Sequence, residues 1–315
     1  MKHRTEKEMM DLILSVAEKD ERVRAVWMNG SRANPKAHRD HYQDYDIVYA
    51  VTDMDSFLRD PNWIDVFGER IIMQTRDQQL DSTPPFTDWY IYLCQFMDGN
   101  RLDLCLVPVE AMEERLSGDT MCVLLMDKDK KAPPLPPQSD AQYWVKKPTE
   151  REYICTCNEF WWVATYVVKG VWRQEMPYAH GIMSACVQKE LLKMVRWKIA
   201  LEYDFKIDLG KMGRFIERYL YSEDWKLFAC SYCGGTYESI MLALDAAAEL
   251  FRRCGREVGA ALGYPYPEED DRRVTAYLHS GGRFENMDCL LKEPESPGED
   301  TDTVYTVDVP GDKTE

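Results

Sequence analysis

An apolar run from Val23 to Met28 stops at the small-residue pair Gly30-Ser31, and an Asp-x-Asp pair, Asp44 and Asp46, then opens a second apolar run. This order predicts strand, turn, strand, with chemistry at the turn. Side chains alternate across a strand, so Asp44 and Asp46 point one way while Tyr45, Ile47 and Tyr49 take the other face. Two carboxylates held side by side repel unless a cation sits between them, and hard oxygen ligands suit Mg2+ carrying the phosphates of a nucleotide. A metal-nucleotide site is the expectation that this stretch sets.

The flanking chain supports a sheet around it. Met9, Leu12, Ile13, Val16 and Ala17 recur at a helical period, which predicts a helix over 5–20 with one face on the sheet. Strands are expected at 46–51, 71–74 and 121–126, a short helix at 109–116, and a hairpin from 88–97 and 101–107 joined by Asp98-Gly99-Asn100. In the second arm of that hairpin Leu102, Leu104 and Leu106 share one face, leaving Asp103 on the other. By alternation alone Asp103 is either a solvent-side residue or a site residue.

The run Ala-Pro-Pro-Leu-Pro-Pro at 132–137 continues neither a helix nor a central strand and marks the expected domain boundary. Beyond it the pattern turns helical, near 149–170, 179–204, 211–221 and 236–260. Residues 179–204 are apolar around most of the circumference, as in a central helix, except for a stripe of Lys189, Lys193 and Arg196. That stripe is either a solvated face or a contact for a triphosphate, with Lys206 and Lys211 as alternatives for the same task.

With 55 acidic against 39 basic side chains the chain carries a net charge of -16, which repels a phosphate backbone and attracts cations, so nucleic acid is not expected as a partner. Residues 291–315 hold eight acids and two bases beside Pro and Gly, and are expected to form a disordered acidic tail. No apolar stretch reaches the length of a membrane span and the N-terminus has no apolar signal core, so the expected location is the cytoplasm. The ten cysteines are then expected as reduced thiols, mostly buried; Cys155-x-Cys157 and Cys230-x-x-Cys233 do not by themselves make a zinc site.

Gly30-Ser31 with Asp44-x-Asp46 resembles the signature of the nucleotidyltransferase superfamily built like the polymerase beta palm. The fuller strings, Gly-Ser-Arg-Ala-Asn-Pro at 30–35 and Gln-Asp-Tyr-Asp-Ile-Val at 43–48, are similar to the aminoglycoside 6-adenylyltransferases. Tyr178-Ala-His-Gly-Ile-Met, Glu190-Leu-Leu-Lys-Met and Asp208-Leu-Gly-Lys carry the resemblance into the second half, and only the stretch beyond about residue 290 falls outside it. The resemblance implies an α/β nucleotidyltransferase domain, a mixed sheet with flanking helices, over 1–135. An all-helical domain over 136–290 follows, with the active site in the cleft between the two.

It implies AMP transfer from Mg-ATP to a hydroxyl, with pyrophosphate leaving. Asp44 and Asp46 would hold Mg2+, and Asp103, fitting the superfamily's third carboxylate, would bind metal, take the proton of the attacking hydroxyl, or both. Gly30, Ser31 and Arg32, with Lys193 or Lys211, would hold the nucleotide. The implied acceptor is a cationic aminoglycoside, streptomycin at its 6-hydroxyl, whose guanidinium groups pair with carboxylates. Asp40, Glu190 and Asp208 are candidates for that pairing, although each reads first as a surface acid or helix cap. Oligomeric state is not legible.

Two rivals stand beside this reading. One is a nucleotidyltransferase that modifies a protein or RNA, as in toxin-antitoxin pairs; the Arg-x6-His spacing of their helical partners occurs at Arg173 and His180, but recurs at Arg272 and His279 as chance allows. The other is a non-catalytic nucleotide-binding relative, which would be expected to have lost one of the three acids.

Overall fold

Thr5 begins the first helix by exchanging hydrogen bonds with Glu8: its amide donates to the Glu8 carboxylate at 2.7 Å, and the Glu8 amide donates to its hydroxyl at 3.2 Å. Helix α1, Glu6–Lys19, buries Met9, Ile13 and Ala17, a stripe spaced at four residues that faces the sheet. The computed structural model describes residues 3–35 and 37–280, so the acidic stretch expected at 291–315 lies outside the described residues.

The strands are β1 (Val23–Met28), β2 (Tyr45–Val51), β3 (Arg70–Thr75), β4 (Tyr90–Phe96), β5 (Arg101–Pro108) and β6 (Val123–Asp127), in the spatial order β3-β4-β5-β2-β1-β6. Only the β2–β5 pair is parallel; the other neighbours are antiparallel, which makes the sheet mixed. Short helices α2 (Gly30–Ala33), α3 (Met54–Leu58) and α4 (Met112–Gly118) sit in the connections. The leucines of β5 alternate as their spacing requires: Leu102, Leu104 and Leu106 are fully buried with Ile47, Tyr49 and the stripe of α1. Trp27, Val48, Ala50 and Val107 pack on the opposite face with Met112 and Leu116 of α4. Burying each such side chain contributes roughly 1.5–3 kcal/mol, so the two faces together fix the register of β2 against β5.

The chain divides into two compact units between Gln142 and Tyr143. The prolines at 132–137 stay with the first unit, because Ala132 and Leu135 pack on its second core and Ser139 pairs with Thr120. The second unit holds helices α5 (Glu150–Trp172), α6 (Met176–Ile182), α7 (Gln188–Leu201), α8 (Ser222–Cys230), α9 (Tyr237–Leu262) and α10 (Glu268–His279). Phe160 of α5 stacks on Phe251 of α9 at 3.8 Å between ring centres, and α7 packs along α9. Tyr153 donates to the Gly255 carbonyl at 2.7 Å, a contact that leaves no room for a Cβ at Gly259, where it would lie 2.7 Å from the Tyr153 hydroxyl.

Three expectations for this half need correction. The helix expected at 179–204 is interrupted by a π turn at Met183–Val187. The helix expected at 211–221 is instead two single 3-10 turns, since Gly210, Met212 and Gly213 all take positive φ and break the helical path. Helices α8 and α10 were not expected; the first turn of α10 is four acids, Glu268 to Asp271, held there by the helix dipole and by Arg252, which forks Asp271 at 2.8 Å.

Candidate active site

The turn after β1 is built around the absence of a side chain. Gly30 has φ +71°, and a Cβ placed there would lie 2.1 Å from Oδ2 of Asp46. The Asn29 amide donates to the Asp46 carbonyl at 2.9 Å, which closes β1 onto β2 just before the turn. Ser31 follows in the single turn of α2, and the Gln43 side-chain amide donates to its hydroxyl at 3.2 Å. Two buried acceptors at this turn, Oδ1 of Asn29 and Oε1 of Gln43, have no hydrogen-bond partner among the described residues. Such groups are costly to leave unpaired and suit a ligand that brings donors.

Arg32 does not face outward as a phosphate ligand would. Its guanidinium is buried, donates to the carbonyls of Asp44 at 3.1 Å and Gln43 at 2.9 Å, lies 3.8 Å above the Tyr45 ring and pairs with Glu6 at 3.1 Å. All of these contacts are with the scaffold, and they fix the backbone that presents Asp44.

The parallel register of β2 and β5 sets Asp46 beside Asp103, and Asp44 directly precedes β2. A guanidinium stands among these acids. Arg101 forks Asp103, with Nε to Oδ1 and Nη2 to Oδ2 both at 2.8 Å, and its Nε lies 3.7 Å from Asp44. Burial, and then repulsion from Asp103 and Asp44, raises the Asp46 carboxyl to about 6. Burial also raises the Asp44 carboxyl, against the pull of Arg101.

These three carboxylates are the donor set a hard divalent cation prefers, and the charge strain at Asp46 is of the kind such a cation relieves. As they stand, no three acidic, His or Cys side chains among the described residues are grouped to hold a metal. Both oxygens of Asp103 are engaged by Arg101.

The remaining candidates lie elsewhere. Asp40 is exposed on the loop before Asp44 and accepts from the Tyr42 amide at 2.8 Å, an Asx turn. In the second unit, Glu190 is 3% exposed and accepts from Lys193 at 2.6 and 2.8 Å. The two share the wall of a cavity of about 400 Å³ with Glu152, Glu159 and Trp197. Asp208 caps its own turn by accepting from the Gly210 amide at 2.7 Å, and Lys211 is exposed at the start of the next 3-10 turn.

The sequence pattern alone does not single out Arg101, Gln43 or Glu6. Arg101 was within reach, because the period of two puts it on the same face of β5 as Asp103. Glu6 was not, since nothing local links it to Arg32.

The sequence profile of a family described as streptomycin adenylyltransferase matches residues 3–280. The aminoglycoside 6-adenylyltransferase of Bacillus subtilis (strain 168) is 39% identical over 290 residues, 92% of this chain and 100% of that protein. That of Campylobacter jejuni is 39% identical over 271 residues, 85% and 93% of the two chains. The Staphylococcus aureus protein of the same name is 33% identical over 266 residues, 84% and 94%.

Proposed function

Because this chain belongs to the streptomycin adenylyltransferase family, we propose that it moves AMP from ATP to the 6-hydroxyl of an aminoglycoside, streptomycin first among them. The observation that carries the site assignment is the parallel pairing that sets Asp46 beside Asp103, next to a turn whose Gly30 tolerates no side chain. Phosphoryl transfer asks a protein mainly for positioning and charge neutralisation.

Asp44 and Asp46, joined by Asp103, would hold Mg2+. Bound there, the ion would supply charge neutralisation for the triphosphate and its leaving pyrophosphate. Ser31 presents its hydroxyl to a phosphate oxygen, and Gln43 keeps that hydroxyl in place. Arg32 acts from below, holding the Gln43–Asp44 backbone. Asp103 accepts the proton of the attacking hydroxyl at a carboxylate oxygen. On the helical unit, Glu152 and Glu159 beside Trp197 offer carboxylates and an aromatic face to the cationic groups of an acceptor, while Glu190 in the same cavity is held by Lys193. Lys193 and Lys211 remain the candidates for the triphosphate.

Substitution separates these roles. Asp44→Asn and Asp46→Asn are each expected to lower turnover by at least about a thousandfold. Asp103→Asn is expected to fold and bind nucleotide yet lose transfer to a similar degree. Near-normal turnover in Asp44→Asn or Asp46→Asn removes the metal assignment, and unchanged turnover in Asp103→Asn reassigns the base.

A further inference from the structure

The arrangement around Asp103 raises a conflict that the three acids alone do not resolve. A carboxylate that is to bind a divalent cation or take a proton needs an available oxygen, and both oxygens of Asp103 are engaged by one guanidinium at 2.8 Å. Arginine does not lose its proton in proteins, so the conflict cannot be relieved by titrating Arg101; the side chain has to move. It has the freedom to do so. The Arg101 side chain is 42% exposed, whereas Asp103 beneath it is 13% exposed. The fork that fits a carboxylate also fits two phosphate oxygens.

We propose that Arg101 is a displaceable counter-cation: it pairs with Asp103 until a nucleoside triphosphate arrives to take the guanidinium, and only then gives the carboxylate up to metal. This rests on the reading of Asp44, Asp46 and Asp103 as the metal-binding acids. Asp46 and Asp103 stand side by side in the β2–β5 register with Asp44 next to them, so without a cation among them the three carboxylates repel, and Arg101 supplies that cation from within the chain. A divalent ion arriving alone has to expel a bound guanidinium into solvent. An ion arriving with a triphosphate offers the guanidinium a new anion. Metal and nucleotide binding are therefore coupled through one side chain, and metal alone binds weakly.

The test measures binding and needs no turnover. Mn2+ is titrated into the full-length protein and followed by the electron paramagnetic resonance of the free ion, without nucleotide and with a non-hydrolysable ATP analogue. Arg101→Gln is expected to bind Mn2+ alone about tenfold more tightly than the parent, and the Mn-nucleotide complex about tenfold more weakly. A merely structural role for Arg101 would move both affinities in the same direction. Arg101→Lys keeps the charge without the fork and is expected to fall between the two; if the glutamine variant does not fold, the lysine variant is read by the same criterion.

Mn2+ affinity that is unchanged or weaker in the variant overturns the counter-cation role. Tighter Mn2+ with unaltered nucleotide affinity overturns the hand-over to phosphate. Asp44→Asn in the parent and variant backgrounds tells these failures from a failure of the site itself. Mn2+ binding that survives it removes the acids as the metal site, and the role of Arg101 with them.

Discussion

At the scale of single residues, the site depends on a contact that only glycine permits. Gly30 lies so close to Asp46 that even a methyl group would strike the carboxylate, and its φ of +71° adds backbone strain for any other residue. Gly30→Ala is therefore expected to displace Asp46 and cost about a hundredfold in turnover, since small misplacements of reacting groups have effects of that order. A steady-state assay with ATP and streptomycin checks it; activity within twofold of the parent would show that the turn yields freely. Gly30, Ser31, Asp44 and Asp46 were legible because adjacent positions and a strand period of two define them. The partners of Arg32 were not, because Glu6, Tyr45 and the carbonyls of Gln43 and Asp44 meet it only in the folded chain.

At the scale of elements, the hairpin that carries Asp103 is pinned at its tip. Asp98 has a side chain only 2% exposed and pairs with Arg4 at 2.6 Å, and it also accepts from Asn100. Despite the opposing effect of burial, those bonds hold its carboxyl well below the ordinary 3.8. A lowered folded value means that the stabilisation is present above the unfolded value and is lost as pH falls through the folded one. Asp98→Asn is expected to lower unfolding stability at pH 7 by about 1–3 kcal/mol, with the difference from the parent shrinking in acid below the ordinary carboxylate range. Urea unfolding at several pH values measures it, and a difference that does not change with pH would assign the loss to packing.

The same hairpin was readable from its Leu alternation and its Asp-Gly-Asn turn. The helical half was less so, for physical reasons. A π turn adds a residue inside an apolar stretch without altering its composition, so 179–204 read as one helix. In 211–221 positive φ at Gly210 and Gly213 overrode apolar spacing, and the charged first turn of α10 hid a helix whose buried face is only Asp271 and Leu278.

At the scale of the whole molecule, the chain folds as two compact units. The first sets a mixed sheet under three carboxylates, and the second offers an acidic, aromatic cavity in a helical body. Among the described residues no helix is long and apolar enough to cross a membrane. The family match ends at residue 280, so removing residues 291–315 is expected to leave turnover within about twofold, an effect of the size seen for neutral surface changes. A larger loss would give that stretch a part in the reaction.

The proposed activity of this site is transfer of AMP to an aminoglycoside. It is tested most directly by pyrophosphate release from Mg-ATP with streptomycin, with spectinomycin, with kanamycin and with no acceptor, together with the mass of the recovered drug. The expected result is release that depends on streptomycin and a drug heavier by one AMP. Silence with every drug, from a protein that still binds ATP and metal, would contradict it and favour a protein or RNA acceptor.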